Sequence, residues 1–238
     1  MNGLTAASDL PPIRRSNGGA PVNFPARLID GYRAFLATRL PTEQDRYRHL
    51  ADHGQKPETM VIGCCDSRVS PEVIFDAAPG ELFVTRNVAN LVPPYTPDGA
   101  QRAVSAALEF AVQALKVKHI VVLGHARCGG IKAYVEQTEP LSPGDFIGNW
   151  MALIKPAVAK LGPASQRTSE EYLERLEQAS VMQTLGNLMT FPCVRILAER
   201  GRLFLHGAYF DVATGQLSVL DEKSGEFRVV GRGASRQA

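Results

Sequence analysis

Cysteine, tryptophan and net charge are all scarce in this chain. Only four cysteines (Cys64, Cys65, Cys128 and Cys193) occur among 238 residues, which argues against a disulfide framework and leaves reduced thiols or metal ligands. A formal charge of +2 is too small to make nucleic acid or an anionic membrane the main partner. No apolar run approaches the ~18 residues that a membrane helix needs. The first twenty residues, MNGLTAASDLPPIRRSNGGA, lack the apolar centre of a secretory signal. These absences lead to the expectation of a cytoplasmic protein with neither a membrane nor a nucleic-acid partner. Internal repeats and low-complexity linkers are also missing. What is present, 45% hydrophobic and 21% charged residues, is the composition of an ordinary globular protein.

Residues 1–22 are rich in Pro, Gly and Ser without periodicity, so a flexible N-terminal arm is expected there, followed by a single domain over 23–238. Asn23 suits the cap of a helix with Leu28, Tyr32, Phe35 and Leu36 on one face. TMVIGC (59–64), ELFVTRN (81–87) and HIVVLG (119–124) are short apolar runs ended by polar residues, as buried parallel strands are. Asp98 suits the cap of a helix whose apolar stripe runs from Ala103 to Leu115. GGIKAYVEQ begins another helix. Thr168 and Glu171 form a capping box for one that runs to about Met189. RLFLHGAYFDV and QLSVLDE supply one or two final strands. Strands that alternate with helices predict an α/β fold with a mainly parallel central sheet flanked by helices.

Two of the strands end in chemistry. VIGCCDSRV places Cys64 at one strand end, and VVLGHARCGG places His125 and Cys128 just past another. Ligands in open α/β sheets bind at the carboxyl ends of strands, so the three side chains converge on one crevice. Two thiolates and an imidazole suit zinc. Cys65, the neighbour of Cys64 in an extended segment, faces the other way. Cys193 follows Pro192 at the end of a different helix and reads as a free buried cysteine. Three protein ligands with an open fourth position is the catalytic pattern. Taken alone, H-x-x-C also fits a core histidine beside a helix-start cysteine. Arg127, His49, His53, His119 and His206 read as surface or packing residues, with His206 the one that a place beside the site would suit. Asp66 and Arg68 fit either a loop salt bridge or a functional pair. In the second case the arginine holds the carboxylate bidentately, keeps it ionised and stops it from binding the metal.

GCCDSRV followed by GHARCGG resembles the β-class carbonic anhydrases, which carry C-x-D-x-R and then H-x-x-C. The similarity extends through ELFVTRNVANLVPPY, LEFAVQALKVKHIVVLGH and ASVMQTLGNLMTFPCV, roughly residues 50–222. The resemblance implies a carbonate dehydratase that hydrates carbon dioxide reversibly to bicarbonate and a proton. It implies one zinc per chain, held by Cys64, His125 and Cys128, with Asp66 and Arg68 as the catalytic pair. Gln55 then binds a bicarbonate oxygen, while Phe83 and Val88 line the carbon dioxide pocket. Self-association into a dimer or higher even oligomer is implied too, with active sites at the subunit interface. Three positions depart from the family pattern. Cys65 replaces a small residue, and Phe110 stands where plant-type members have tyrosine. Val61 stands where allosteric bacterial members have a tryptophan that, with an arginine (here Arg86) and a tyrosine (Tyr209, shifted by one), binds inhibitory bicarbonate. Rival readings are a related activity on carbonyl sulfide or carbon disulfide, and a structural zinc in a binding protein. A zinc-dependent dehydrogenase is disfavoured because no G-x-G-x-x-G follows a strand.

Overall fold

The structure is a computed structural model that describes residues 24–136, 146–162 and 170–231. The expected arm over 1–22 and the caps at Asn23 and Thr168 lie outside the described residues. The chain separates into two compact units, one ending at Asp52 and the other beginning at His53. Among the described residues the first unit consists of α1 (Ala26–Thr38) and α2 (Leu40–His53). The expected stripe on α1 exists, and Phe35 packs edge-on against Tyr47 with ring centroids 6.0 Å apart. Leu28, Tyr32 and Leu36 remain exposed.

The second unit is built on six strands: β1 (Thr59–Cys64), β2 (Leu82–Asn87), β3 (His119–His125), β4 (Phe204–Phe210), β5 (Leu217–Asp221) and β6 (Glu226–Val229). They lie in the order β2-β1-β3-β4-β5-β6. The first four pair in parallel, and β5 and β6 add an antiparallel edge. The helices are α3 (Pro71–Ile74), α4 (Ala103–Glu109), α5 (Gly129–Glu136), α6 (Phe146–Met151), α7 (Lys155–Leu161), α8 (Glu170–Leu188) and α9 (Pro192–Glu199). None of the described helices is long and apolar enough to cross a membrane.

TMVIGC is apolar throughout because β1 is covered on both faces. On one face Met60 and Ile62 join Ile120 and Val122 of β3, Leu108 of α4, Val181 and Leu188 of α8 and Val194 of α9. On the other, Val61 meets Leu123 and Ala208. Burying a Met60 or Ile62 side chain fully contributes about 1.5–3 kcal/mol each. Helix α8 lies directly on β3 at Gly124, where an added Cβ would come within 2.5 Å of Val181. The next residue, His125, is the last of the strand and pairs with Phe210 of β4.

Several sequence expectations shift. Helix α4 starts at Ala103 with Arg102 before it, so Asp98 is not its cap. Asp98 instead accepts from the Ala100 N–H and pairs with Arg102. The stripe to Leu115 holds, but from Phe110 the helix widens into a π-turn, closed by Lys116 in the left-handed region. Pro192 opens a helix rather than ending one, its missing N–H being harmless at the first position. Cys193 is free but only half-buried, because it borders a cavity of about 850 Å³ shared with Tyr95, Arg102 and Phe191. The short edge strand β6 was not anticipated.

Candidate metal centre

The sheet order changes direction between β1 and β3, which is where a parallel sheet opens a crevice at its carboxyl end. Cys64 closes β1 and His125 closes β3. Arg127, in the left-handed region at φ 57°, turns the chain so that Cys128 comes back beside them. One donor atom from each of Cys64, His125 and Cys128 lies within 4.8 Å of the others, and all three residues are buried. This is the single such group among the described residues.

The donor set fits a cation. The imidazole Nδ1–H of His125 donates to the Ala126 carbonyl at 2.9 Å, which leaves the Nε2 lone pair free. Nε2 is buried and has no hydrogen-bond partner, although an orphaned buried nitrogen is costly without a ligand. Between the two sulfurs, the Cys128 thiol pulls the Cys64 pKa down to about 4. The same contact, with burial behind it, pushes Cys128 upward. The pair thus holds one proton that a metal ion would displace. Amide donors soften the sulfur charge: Asp66 N–H and Ala89 N–H each reach Cys64 Sγ at 3.4 Å.

Asp66 and Arg68 form the bidentate pair read from the sequence. Oδ1 accepts from the Arg68 backbone N–H at 3.0 Å and from Nε at 2.9 Å, while Oδ2 accepts from Nη2 at 2.6 Å. These hydrogen bonds hold the Asp66 carboxyl far below the usual carboxylate range. Arg68 also donates to the Arg127 carbonyl at 3.0 Å, tying the two motifs together. Cys65 is exposed, and the ligand group does not include it.

Not every expected site residue is in this crevice. Val88 is, in the turn that follows β2. Phe83 pairs with Met60, whereas Cys64 pairs with Asn87. Four residues at ~3.3 Å each put Phe83 about 13 Å back along the sheet. There it packs on Phe110 at 5.9 Å. Gln55 precedes β1 altogether, at the same far end, and is exposed. His206 is likewise remote from the site: it pairs with Val121, not His125, and its Nε2 meets His119 Nδ1 at 3.1 Å.

Two residues stand behind the ligands: Arg86, which sequence reasoning tied only to a second bicarbonate pocket, and Glu177, which it passed over. Arg86 donates to the carbonyls of Cys64 and Asp66, each at 2.7 Å, and so clamps the first ligand turn. Glu177, buried in the middle of α8, accepts the Cys128 N–H at 2.8 Å and the Tyr209 hydroxyl at 2.7 Å. Burial raises the Glu177 pKa, opposed by the Tyr209 hydrogen bond. A glutamate in a long helix carries no local sign of such a task, because its partners come from sequence-distant loops and strands. Replacing it as Glu177→Gln is expected to weaken zinc binding by about 10–100-fold, read by competition with a chelator. Unchanged affinity would show that the Cys128 turn holds itself.

The carbonic anhydrase family model matches residues 59–217 of this chain. Beta carbonic anhydrase 5, chloroplastic, of Arabidopsis thaliana is 37% identical over 75% of this chain; the match spans 58% of that protein, less than two thirds of its length. A carbonic anhydrase of Pseudomonas aeruginosa is 36% identical over 84% of this chain and 89% of its own. Among solved structures, the β-carbonic anhydrase CcaA gives a TM-score of 0.77 at 29% identity, covering 86% of this chain and 91% of its own. Tetrameric β-carbonic anhydrases from the ascomycete Sordaria macrospora give 0.68 at 31% identity, covering 82% and 95%. With its paired cysteine sulfurs, its unpartnered imidazole nitrogen and a family match over most of its length, the chain belongs to the β-class carbonic anhydrases.

Proposed function

We propose that this chain hydrates carbon dioxide at the Cys64–His125–Cys128 centre, with Asp66 as the group that orients the attacking oxygen. Zinc bound there supplies the Lewis acidity that makes water nucleophilic near neutral pH. The carrying observation is the Asp66–Arg68 geometry. A carboxylate offers about four lone-pair sites, and Arg68 takes two on Oδ1 and one on Oδ2. The remaining site on Oδ2 accepts one O–H from the nucleophile and turns its lone pair toward the substrate carbon. Val88 gives that carbon an apolar wall. Stopped-flow hydration of carbon dioxide, lost with a chelator and restored by zinc, is the test. Activity confined to carbonyl sulfide or carbon disulfide would overturn it.

The same reading makes the functional unit at least a dimer. Gln55 and Phe83 sit at the far end of their own sheet, so they serve a zinc site only if that site belongs to another copy. Two features support this: the exposed apolar stripe of α1 and the tetrameric state of the Sordaria relatives. Mixing Cys64→Ser chains with Gln55→Ala chains distinguishes the cases. If Gln55 acts across the interface, random pairing rebuilds one complete site per mixed dimer and roughly a quarter of wild-type activity. No recovery, with mixed dimers present, rules against a shared site.

Regulation by bicarbonate at a second site is not part of this reading. Val61 offers no indole N–H, and Arg86 is committed to the carbonyls of Cys64 and Asp66. The hydroxyl of Tyr209 is committed to Glu177. A buried anion there would lack donors, at about 1–3 kcal/mol for each missing hydrogen bond. Bicarbonate is therefore expected to inhibit only as product, competing at the metal. A crystal structure at neutral pH in excess bicarbonate, with the anion beside Arg86 and Asp66 on zinc, would contradict this. A reducing compartment such as the cytoplasm completes the proposal, since both ligand cysteines must stay reduced.

A further inference from the structure

We propose that Trp150, the one tryptophan of the chain, is a positioning residue that sets both a zinc ligand and the wall of the carbon dioxide pocket. The second part rests on the reading that Val88 forms that wall. Trp150 lies on α6, outside both ligand motifs, and its Nε1–H donates to the Val88 carbonyl at 2.8 Å. That carbonyl shares its peptide group with the Ala89 N–H, which donates to Cys64 Sγ at 3.4 Å. A trans peptide is planar, with its C=O and N–H on opposite sides. The indole therefore grips one edge of a rigid plate whose other edge touches the ligand sulfur. Hydrogen bonds in such a chain also polarise one another, so the indole makes Ala89 a stronger donor to the thiolate.

This turn needs holding. Ala89 at φ 64° and Asn90 at φ 48° are consecutive non-glycine residues in the left-handed region, and such strain persists only where neighbours over-determine it. Asn87 bonds Leu91 in both directions, at 2.9 and 2.8 Å, and Thr184 donates to the Asn90 carbonyl at 3.3 Å. Those contacts act on either side of the Val88–Ala89 peptide, and Trp150 acts on the peptide itself. The Val88 side chain has no slack on the side of Gly130. A Cβ at Gly130 would come within 2.7 Å of Val88 Cγ1. If the plate tilts, the substrate wall and the N–H···S contact move together.

Because Trp150 is the single tryptophan, a tryptophan auxotroph supplied with 3-benzothienylalanine replaces the indole N–H with sulfur at this position alone and keeps the ring shape. Zinc content and the thermal midpoint should be retained. In the cobalt-substituted enzyme, the thiolate-to-metal charge-transfer band should move to longer wavelength, because Cys64 loses donor strength from Ala89. The kcat/KM for carbon dioxide should fall by roughly tenfold. Trp150→Phe should reproduce both changes. An unshifted band with kcat/KM within twofold of the native enzyme overturns the proposal, and so does a loss of thermal stability with the band unmoved. Val88→Ala separates this from the pocket reading. If Val88→Ala leaves kcat/KM unchanged while the analogue shifts the band, the wall assignment fails and the positioning of Cys64 stands.

Discussion

Cys128→Ser is expected to empty the metal centre and reduce carbon dioxide hydration to background. Serine keeps the size of the side chain but not a thiolate, and zinc prefers sulfur and nitrogen donors. The expected loss is large because the metal's contribution is large. Zinc lowers the pKa of water from 15.7 to about 7 in a three-imidazole site, so losing it cuts the hydroxide available at the site by roughly eight orders of magnitude. Two thiolates donate more charge than imidazoles do, which reduces that advantage without removing it. Cys64→Ser and His125→Ala should behave alike, since the three donors are buried together as one group. Cys65→Ser and Cys193→Ser are the controls. Cys65 is exposed and outside the ligand group, and Cys193 borders a separate cavity, so both variants should bind one zinc per chain with native activity. Elemental analysis beside stopped-flow rates decides it. An empty Cys65→Ser protein would show the ligand set to be wrong.

Arg68→Ala should lose activity by roughly 10²–10³-fold while keeping its zinc, the scale seen when one oriented polar group is removed from a site that stabilises developing charge. The cause is Asp66. Its oxygens are occupied by three hydrogen bonds from Arg68, of which the two from the side chain vanish in the variant. The freed carboxylate then turns to the open metal position and blocks it. Its titration changes as well. In the native protein the Arg68 hydrogen bonds depress the Asp66 pKa. A depressed folded value means the pair is intact above the ordinary carboxylate range and is lost only as pH falls through the lowered value. Without the Arg68 side chain only the backbone hydrogen bond remains, and Asp66 should titrate nearer the ordinary range unless metal binding holds it ionised. Since the two residues act as a unit, Asp66→Ala combined with Arg68→Ala should cost little more than one change alone. Fully multiplicative losses would remove the case for a pair. The cobalt spectrum of Arg68→Ala gives an independent check, because a carboxylate ligand alters it.

The amino-acid sequence alone determined the donor set and the strands that carry it. TMVIGC and HIVVLG are apolar because strands buried on both faces must be, and their polar ends mark where the sheet opens. Cys64, Asp66 and Arg68 lie within five residues of one another, as do His125 and Cys128, so backbone geometry fixes each group locally. Cys65 could be set aside by the alternation of an extended chain. The tertiary structure decided everything that depended on distance across the fold. Phe83 lies on β2, beside the strand that carries Cys64, and Gln55 just before β1, yet strand length carries them to the opposite end of the sheet. Glu177 and Trp150 reach the site from α8 and α6, 49 and 62 residues away from their partners in sequence. A helix glutamate or tryptophan looks the same from its neighbours whether it faces water, core or a ligand loop. Asp98 had the right residue type for a cap but found nearer partners in its own loop. Periodicity and spacing report local backbone geometry, whereas the groups that hold a ligand turn in place are chosen by packing between elements distant in sequence.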